Sequence, residues 1–319
     1  MRIVFFGSPQ FALPSLRALL DSPHDVVAVV SQPDRPAGRG HAATPPPVKA
    51  LAVERGLTVL QSDNVSQPDA VEALRALDPD AFVVAAYGQI LRQRLLDVPK
   101  LGILNVHASL LPRWRGASPV AAAILAGDDV TGVTLMEMVR ALDAGPVVVR
   151  VEVPISPHDT TGTLEARLAE EGAGLLVESI DAWMSGQLVA TPQDESLVTY
   201  APQLTRAVAL LDWSLPAVDL WRRVRAFHPW PVAYTRWRGE ELRILETWPL
   251  PHDSGELPGR VLPPTPLPPE ANDSRFTFAV ATGAGSLAIR RLQRPGKRVL
   301  SGEEFLRGQR DFVGERLGE

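Results

Sequence analysis

The chain has 319 residues, 45% of them hydrophobic, with 32 Lys and Arg against 37 Asp and Glu for a formal charge of −5. That length holds two domains with separate cores, and the composition is that of a soluble globular protein. The absence of cysteine excludes disulfides, thiolate metal sites and cysteine nucleophiles and fits a reducing cytoplasm.

Residues 1–11, MRIVFFGSPQF, read as a strand at 2–6 and a turn, not as a signal peptide. No stretch reaches the roughly 20 apolar residues of a membrane span. A helical pattern then runs to Leu20, and 25–30 (DVVAVV) is a second strand. Residues 32–49, QPDRPAGRGHAATPPPVK, have no periodicity and set Arg35, Arg39, His41 and Lys49 against one acid, Asp34. A loop of that length within a domain is commonly functional or mobile. Helices near 51–55, 69–77 and 89–96 alternate with strands at 57–60, 80–86 and 101–106. The alternation predicts an α/β fold with a doubly wound, mostly parallel sheet. Its first turn, Gly7-Ser8-Pro9-Gln10-Phe11, lacks the G-x-G-x-x-G of a dinucleotide site, which weighs against a nicotinamide oxidoreductase.

Farther on, 118–126 reads as a helix, and 130–138 and 146–153 as paired strands joined by VRALDAG. Residues 161–184 form a long amphipathic helix, after which the pattern weakens over 187–204. Ser214 is placed to cap a helix at 215–227. Short strands at 232–237, 241–247, 259–262, 275–281 and 286–292 suggest a small OB-like β-barrel. The expected plan is a first domain at 1–188, a linker at 189–205 and a smaller domain at 206–319. Trp213, Phe227, Trp230 and Trp237 read as core packing of the second domain. Charge divides along the same line: 15 basic and 23 acidic residues in 1–202, then 17 and 14 in 203–319. Arg222, Arg223, Arg225, Arg290, Arg291, Lys297 and Arg298 are its candidates for contact with an anionic partner.

The chemistry concentrates at 101–116, LGILNVHASLLPRWRG. Asn105 and His107 stand two apart in a strand, so both point to one side. An amide that donates to a developing oxyanion, beside an imidazole that holds or moves a proton, suits attack on a carbonyl-type carbon. Asp143, in the turn Leu142-Asp143-Ala144-Gly145, completes the set by orienting His107. Neither G-x-S-x-G nor a Ser-His-Asp order is visible, so the nucleophile belongs to the substrate. Taken alone, N-x-H is more often structural than catalytic, and an Asp before Gly is ordinarily a turn residue. The scattered histidines give no metal-ligand spacing. More specific is 109–116, SLLPRWRG: its leucines suit an apolar pocket wall, and Arg113 and Arg115 flank Trp114 as candidates to hold an anion.

With N-V-H, S-L-L-P-R-W-R-G and a later L-D-x-G, the chain resembles the formyltransferases that use 10-formyltetrahydrofolate. FFGSPQFALPSL, QPDRPAGRG, VVAAYGQIL, ESLVTYAPQL and RAFHPWP extend the resemblance over essentially the whole chain, toward the branch that acts on methionyl initiator tRNA. It implies that a formyl group passes from the folate, a consumed co-substrate, to the methionyl α-amino group, with no metal. By the same resemblance Asn105, His107 and Asp143 are catalytic, and Ser109, Leu110, Leu111 and Pro112 contact the folate. The segment of Ala86, Tyr87, Gly88 and Ile90, with Leu142, lines the pterin slot. Arg39 matches the key arginine of a loop, with Arg35, His41 and Lys49, that reaches the tRNA. The chain departs from the common pattern at His41, Ala108, Val139, Arg140 and Ala144. A soluble cytoplasmic monomer is expected. The rival readings are a folate formyltransferase acting on glycinamide ribonucleotide or an amino sugar, and a noncatalytic RNA-binding protein.

Overall fold

The computed structural model describes residues 1–37, 42–264, 266–271 and 277–318. They form two compact units: Met1–Pro119, Val130–Pro154 and Thr163–Ala201 make the first, and Val120–Asp129, Ile155–Gly162 and Pro202–Glu319 the second.

The first unit is built on a seven-stranded sheet in the order Val147–Pro154, Val130–Glu137, Ile103–His107, Ala81–Ala85, Arg2–Gly7, Asp25–Ser31, Val59–Gln61. The five strands from Ile103–His107 to Val59–Gln61 pair in parallel, and the other two are antiparallel. Every residue of Ala81–Ala85 and Ile103–His107 is buried, as continuous apolar strands covered on both faces must be. Three of the connecting helices, Leu13–Leu20, Pro47–Glu54 and Pro68–Arg75, start with proline in their first two positions. There the missing N–H costs nothing. Phe6, Phe82 and Tyr87 meet in the core at centroid distances of 4.9 and 5.4 Å.

The described residues of 32–49 hold more regular structure than the composition suggests. Arg35–Ala37 pairs antiparallel with Ala42–Thr44, and Pro47–Glu54 follows as a helix. Arg39 and His41 lie outside the described residues. The helix expected at 89–96 shrinks to Gln93–Leu96. Ala86 at φ +47° and Gly88 at φ +86° turn the chain first. The helix Thr161–Met184 spans 24 residues and packs against the sheet. Gly172 is where it comes nearest: a Cβ there would lie 2.8 Å from Val106 and 3.2 Å from Val133. Val106 therefore faces the helix, and the alternating Asn105 and His107 face the other way. Within 187–204, Tyr200–Ala201 pairs in parallel with Arg115–Gly116.

The second unit holds an antiparallel sheet in the order Tyr234–Trp237, Glu240–Leu250, Ser286–Gln293, Ala279–Ala281, with Leu300–Ser301 also on Ser286–Gln293. Arg238 and Gly239, at φ +52° and +76°, form the two-residue turn of its first hairpin, the pair of positive φ values that a twisted hairpin favours. The expected strand at 259–262 is reduced to bridges, Val261 to Val280 among them. The helix predicted at 215–227 is Ala217–Ala226, with Pro216 and not Ser214 at its N-cap. The Ser214 hydroxyl donates instead to Asp212 (2.6 Å). Trp237, Phe278, Phe305 and Phe312 form one aromatic cluster. Trp213, Phe227 and Trp237 are buried as expected, whereas Trp230 is 57% exposed.

Candidate active site

Asn105 and His107 share a face of Ile103–His107 and are only 8% and 7% exposed. Asn105 stands between Val84 and Met136, and His107 beside Thr134. Among the described residues the Asn105 amide has no hydrogen-bond partner. Its polar atoms are not among the fully buried ones left without a partner, so they remain reachable from solvent and free to bond a ligand. His107 is hydrogen-bonded at one ring nitrogen. Nε2 lies 3.1 Å from the Trp114 carbonyl, and because a carbonyl only accepts, Nε2 carries the hydrogen. Nδ1 then faces Asp143 Oδ2 at 4.0 Å. The Gly116 N–H donates to that same oxygen at 2.8 Å.

The hairpin turn between Val130–Glu137 and Val147–Pro154 begins opposite Leu104, at the far end of the strand from His107. It must fold back over the sheet for Asp143 to reach the imidazole. Gly145 makes the fold possible: a Cβ at that position would lie 1.7 Å from the Glu137 carbonyl. Three non-glycine residues around the site, Ala86, Trp114 and Asp143, adopt φ values of +47°, +62° and +46°. Each such conformation costs about 1–2 kcal/mol and has to be held by its surroundings. Trp114 is held by its N–H to Thr199 Oγ1 (2.9 Å). Asp143 is held by Gln193, whose Nε2 donates to the carbonyls of Asp143 (2.8 Å) and Gly145 (2.7 Å).

The loop 109–116 is braced from within. Ser109 is fully buried and its hydroxyl donates to the Arg113 carbonyl (2.7 Å). Thr134 Oγ1 donates to the Ser109 carbonyl (2.6 Å) and accepts from the Leu111 N–H (3.1 Å). Leu111 is fully buried as well, so Leu110, Pro112 and the backbone are what this loop offers a ligand. Arg113 is exposed and sits 4.9 Å over the Trp114 ring. Arg115, placed with Arg113 by the sequence, is only 3% exposed. It donates to Gln193 Oε1 from Nε (3.0 Å) and Nη2 (2.8 Å), and pairs with Glu195 (2.8 Å). It is a buried strut: four of its five N–H groups are already taken by Gln193 and Glu195.

In the turn after Ala81–Ala85, Tyr87 turns its ring into the core, and burial pushes its hydroxyl up to about 12. Its carbonyl accepts from Ser8 Oγ (3.4 Å) and Gln32 Nε2 (3.2 Å). Ala86 and Gly88 are exposed, and so are two large apolar side chains, Ile90 (79%) and Leu142 (61%).

Several predicted anion contacts already have partners inside the chain. Lys49 Nζ lies 2.8 Å from Asp34, whose carboxyl it holds below the usual range, and 2.8 Å from Gln61. In the second unit Arg290 pairs with Glu246 (2.9 Å), Arg298 with Glu304 (3.0 Å) and Arg222 with Asp219 (3.5 Å). Arg225 donates to the carbonyls of Asp159 and Ser156, and burial pulls its guanidinium down to about 10. Arg223 is half-buried. Arg35, Arg291 and Lys297 are exposed. Among the described residues no group of three His, Asp or Glu could hold a metal ion, and no helix is long and apolar enough to cross a membrane.

The sequence reading missed Thr134, Gln193, Glu195 and Thr199. The last three fall in the aperiodic stretch 187–204, where the motif-like run ESLVTYAPQL takes in Glu195 and Thr199 but starts two residues after Gln193.

The fold and the site define a class. The formyl transferase family model matches residues 1–180, and the model of the formyl transferase C-terminal domain matches residues 203–310. The chain belongs to this family. A relative from Pseudomonas paraeruginosa (strain PA7), 48% identical over 321 residues with 100% of both chains covered, is named methionyl-tRNA formyltransferase. Among solved structures, WlaRD, a sugar 3N-formyl transferase with dTDP and 5-N-formyl-THF, superposes with a TM-score of 0.66 at 16% identity. It covers 93% of this chain and 99% of its own. HypX from Aquifex aeolicus in complex with tetrahydrofolic acid gives 0.61 at 21% identity over 99% of this chain, which spans about half (48%) of HypX. These two likenesses concern the fold.

Proposed function

We propose that the protein formylates the α-amino group of methionyl initiator tRNA, with 10-formyltetrahydrofolate as the formyl donor. The observation that carries this reading is the placing of Asn105, 8% exposed and with its amide open to a ligand, on one strand face with the His107–Asp143 pair, in a chain whose full-length relative bears that activity as its name. The donor set suits a folate. Ile90 and Leu142 expose apolar surface for a flat ring, and the backbone of 86–91, Leu110 and Pro112 supply its polar and apolar edges. Bound there, the folate would supply the formyl carbon: the new C–N bond to the neutral amine would replace the C–N10 bond, and the proton the amine loses would end on the departing N10.

The rest is the work of this chain. The Asn105 N–H donates to the oxygen on which negative charge develops, the kind of preorganised contact worth about 10²–10³ in rate. His107, its Nε2–H held by Trp114, keeps Nδ1 for a proton, and a proton at Nδ1 is shared with the Asp143 carboxylate. The Gly116 N–H keeps that carboxylate in place. In this reading residues 1–188 carry the transfer and 206–319 grip the tRNA, joined at 189–205. The C-terminal sheet is an OB-like barrel, a reading supported by its short antiparallel strands and the Val261–Val280 bridge. In this reading the enzyme works as a cytoplasmic monomer.

Formylation of charged initiator tRNA, charged elongator tRNA and a small amine should be measured side by side. Initiator tRNA is expected to react fastest, with Asn105→Ala, His107→Ala and Asp143→Ala each losing about 100-fold or more in single-turnover rate. Parent rates in all three variants, or preference for the small amine, would overturn the proposal.

A further inference from the structure

Asp143 is held from two directions, and both lead to residue 115 or 116. Its carboxylate accepts from the Gly116 N–H (2.8 Å). Its carbonyl, with that of Gly145, accepts from Gln193 Nε2 (2.8 and 2.7 Å). The other end of the same amide, Gln193 Oε1, accepts two N–H bonds from Arg115 (3.0 and 2.8 Å). This sets the amide orientation: reversed, it would put NH₂ against a guanidinium and oxygen against two carbonyls. Arg115 is aligned in turn by Glu195, through Nη2 (2.8 Å) and Nη1 (3.3 Å). The ring Arg115, Gln193, Asp143, Gly116 is closed.

The segment that supplies Gln193 is itself anchored. Thr191 and Val147 exchange two backbone hydrogen bonds of 2.8 Å. Thr199 accepts at its carbonyl from the Arg115 N–H (2.9 Å) and at its hydroxyl from the Trp114 N–H (2.9 Å). Trp114 in turn holds His107 Nε2. Both halves of the His107–Asp143 pair thus hang from residues 191–201.

We propose that Gln193, aligned by Arg115, is a positioning residue that sets the place of the Asp143 carboxylate opposite His107 Nδ1. It acts through the carbonyls of Asp143 and Gly145 and touches no substrate. The inference rests on the proton-handling role given to Asp143. Without the Gln193 amide, nothing among the described side chains bonds those two carbonyls, and the left-handed turn loses its restraint. The carboxylate then spreads over several positions, and proton sharing with His107 slows. Substrate binding is unaffected.

Gln193→Glu is the sharpest test, because it keeps size and strengthens the Arg115 side while replacing two donated hydrogen bonds with carboxylate against carbonyl. Steady-state formylation with charged initiator tRNA is expected to show kcat down about 10- to 100-fold. KM for both substrates should stay within about twofold, and thermal unfolding near that of the parent. Gln193→Ala covers the case in which the glutamate variant fails to fold. In an Asp143→Asn background the same substitution should change kcat less than about twofold, since a residue that acts through Asp143 has nothing left to act on. An equal loss in both backgrounds, a rise in KM in place of a fall in kcat, or a parent-like Gln193→Glu would each overturn the proposal. Parent-like turnover by Asp143→Asn alone would sink the role of Asp143 itself. That outcome is distinct from a failure of Gln193.

Discussion

Asp143 stands at φ +46° two residues before Gly145, whose Cα has no room for a side chain beside the Glu137 carbonyl. Gly145→Ala therefore forces the turn off Glu137 and carries Asp143 away from His107. A displacement of about 1 Å at a reacting group costs on the order of 100-fold. We expect Gly145→Ala to lower kcat by about that much while the sheet still folds, as far-ultraviolet circular dichroism and a formylation assay would show. A variant with the parent rate would mean that the turn does not place Asp143. Asn105 and His107 were readable because a spacing of two in an apolar strand fixes a shared face. Asp143 was readable only through L-D-x-G, since nothing in its spacing links it to residue 107. Gln193 carried no signal: it binds backbone carbonyls, and any residue type exposes those.

At the scale of elements, the strands of the large sheet were legible because each is a short apolar run bounded by turns. The misreadings have local causes. The 89–96 helix lost its first turn to the positive φ values at Ala86 and Gly88. The N-cap expected at Ser214 moved to Pro216 because Asp212 accepts the serine hydroxyl. The helix Gly302–Gly308 escaped notice although Ser301 and Glu304 spell a capping box. In it, Ser301 Oγ accepts from the Glu304 N–H (3.1 Å), and Glu304 accepts from the Ser301 N–H (2.8 Å). These bonds satisfy two end groups of a helix that presents Phe305 to the aromatic cluster. Ser301→Ala should cost about 0.5–2 kcal/mol. That cost would be seen as a lower urea midpoint with an unchanged slope, and an unshifted midpoint would show that packing alone holds this helix.

At the scale of the whole molecule, charge tells more by its commitments than by its sum. Of the basic residues proposed to meet tRNA, Lys49, Arg115, Arg222, Arg290 and Arg298 have acidic partners. Arg35, Arg291 and Lys297 are exposed. If about three cations each neutralise one phosphate, log affinity for tRNA should fall against log salt with a slope of roughly 2–3. A fluorescence titration across potassium chloride concentrations would measure it. A flat response would remove phosphate contact as the source of affinity, and a much steeper one would mean that the internal ion pairs open on binding. The pairing of Arg115–Gly116 with Tyr200–Ala201 has a consequence in time. All seven strands of the large sheet have been made once residue 154 is polymerised, so the sheet can close early in synthesis. Trp114 must wait for Thr199, 85 positions later, and Asp143 for Gln193, 50 positions later. A growing chain therefore passes through a stage in which every strand around Asn105 and His107 has been made while the residues that position Trp114 and Asp143 have not. A chain released near residue 188 would remain at that stage.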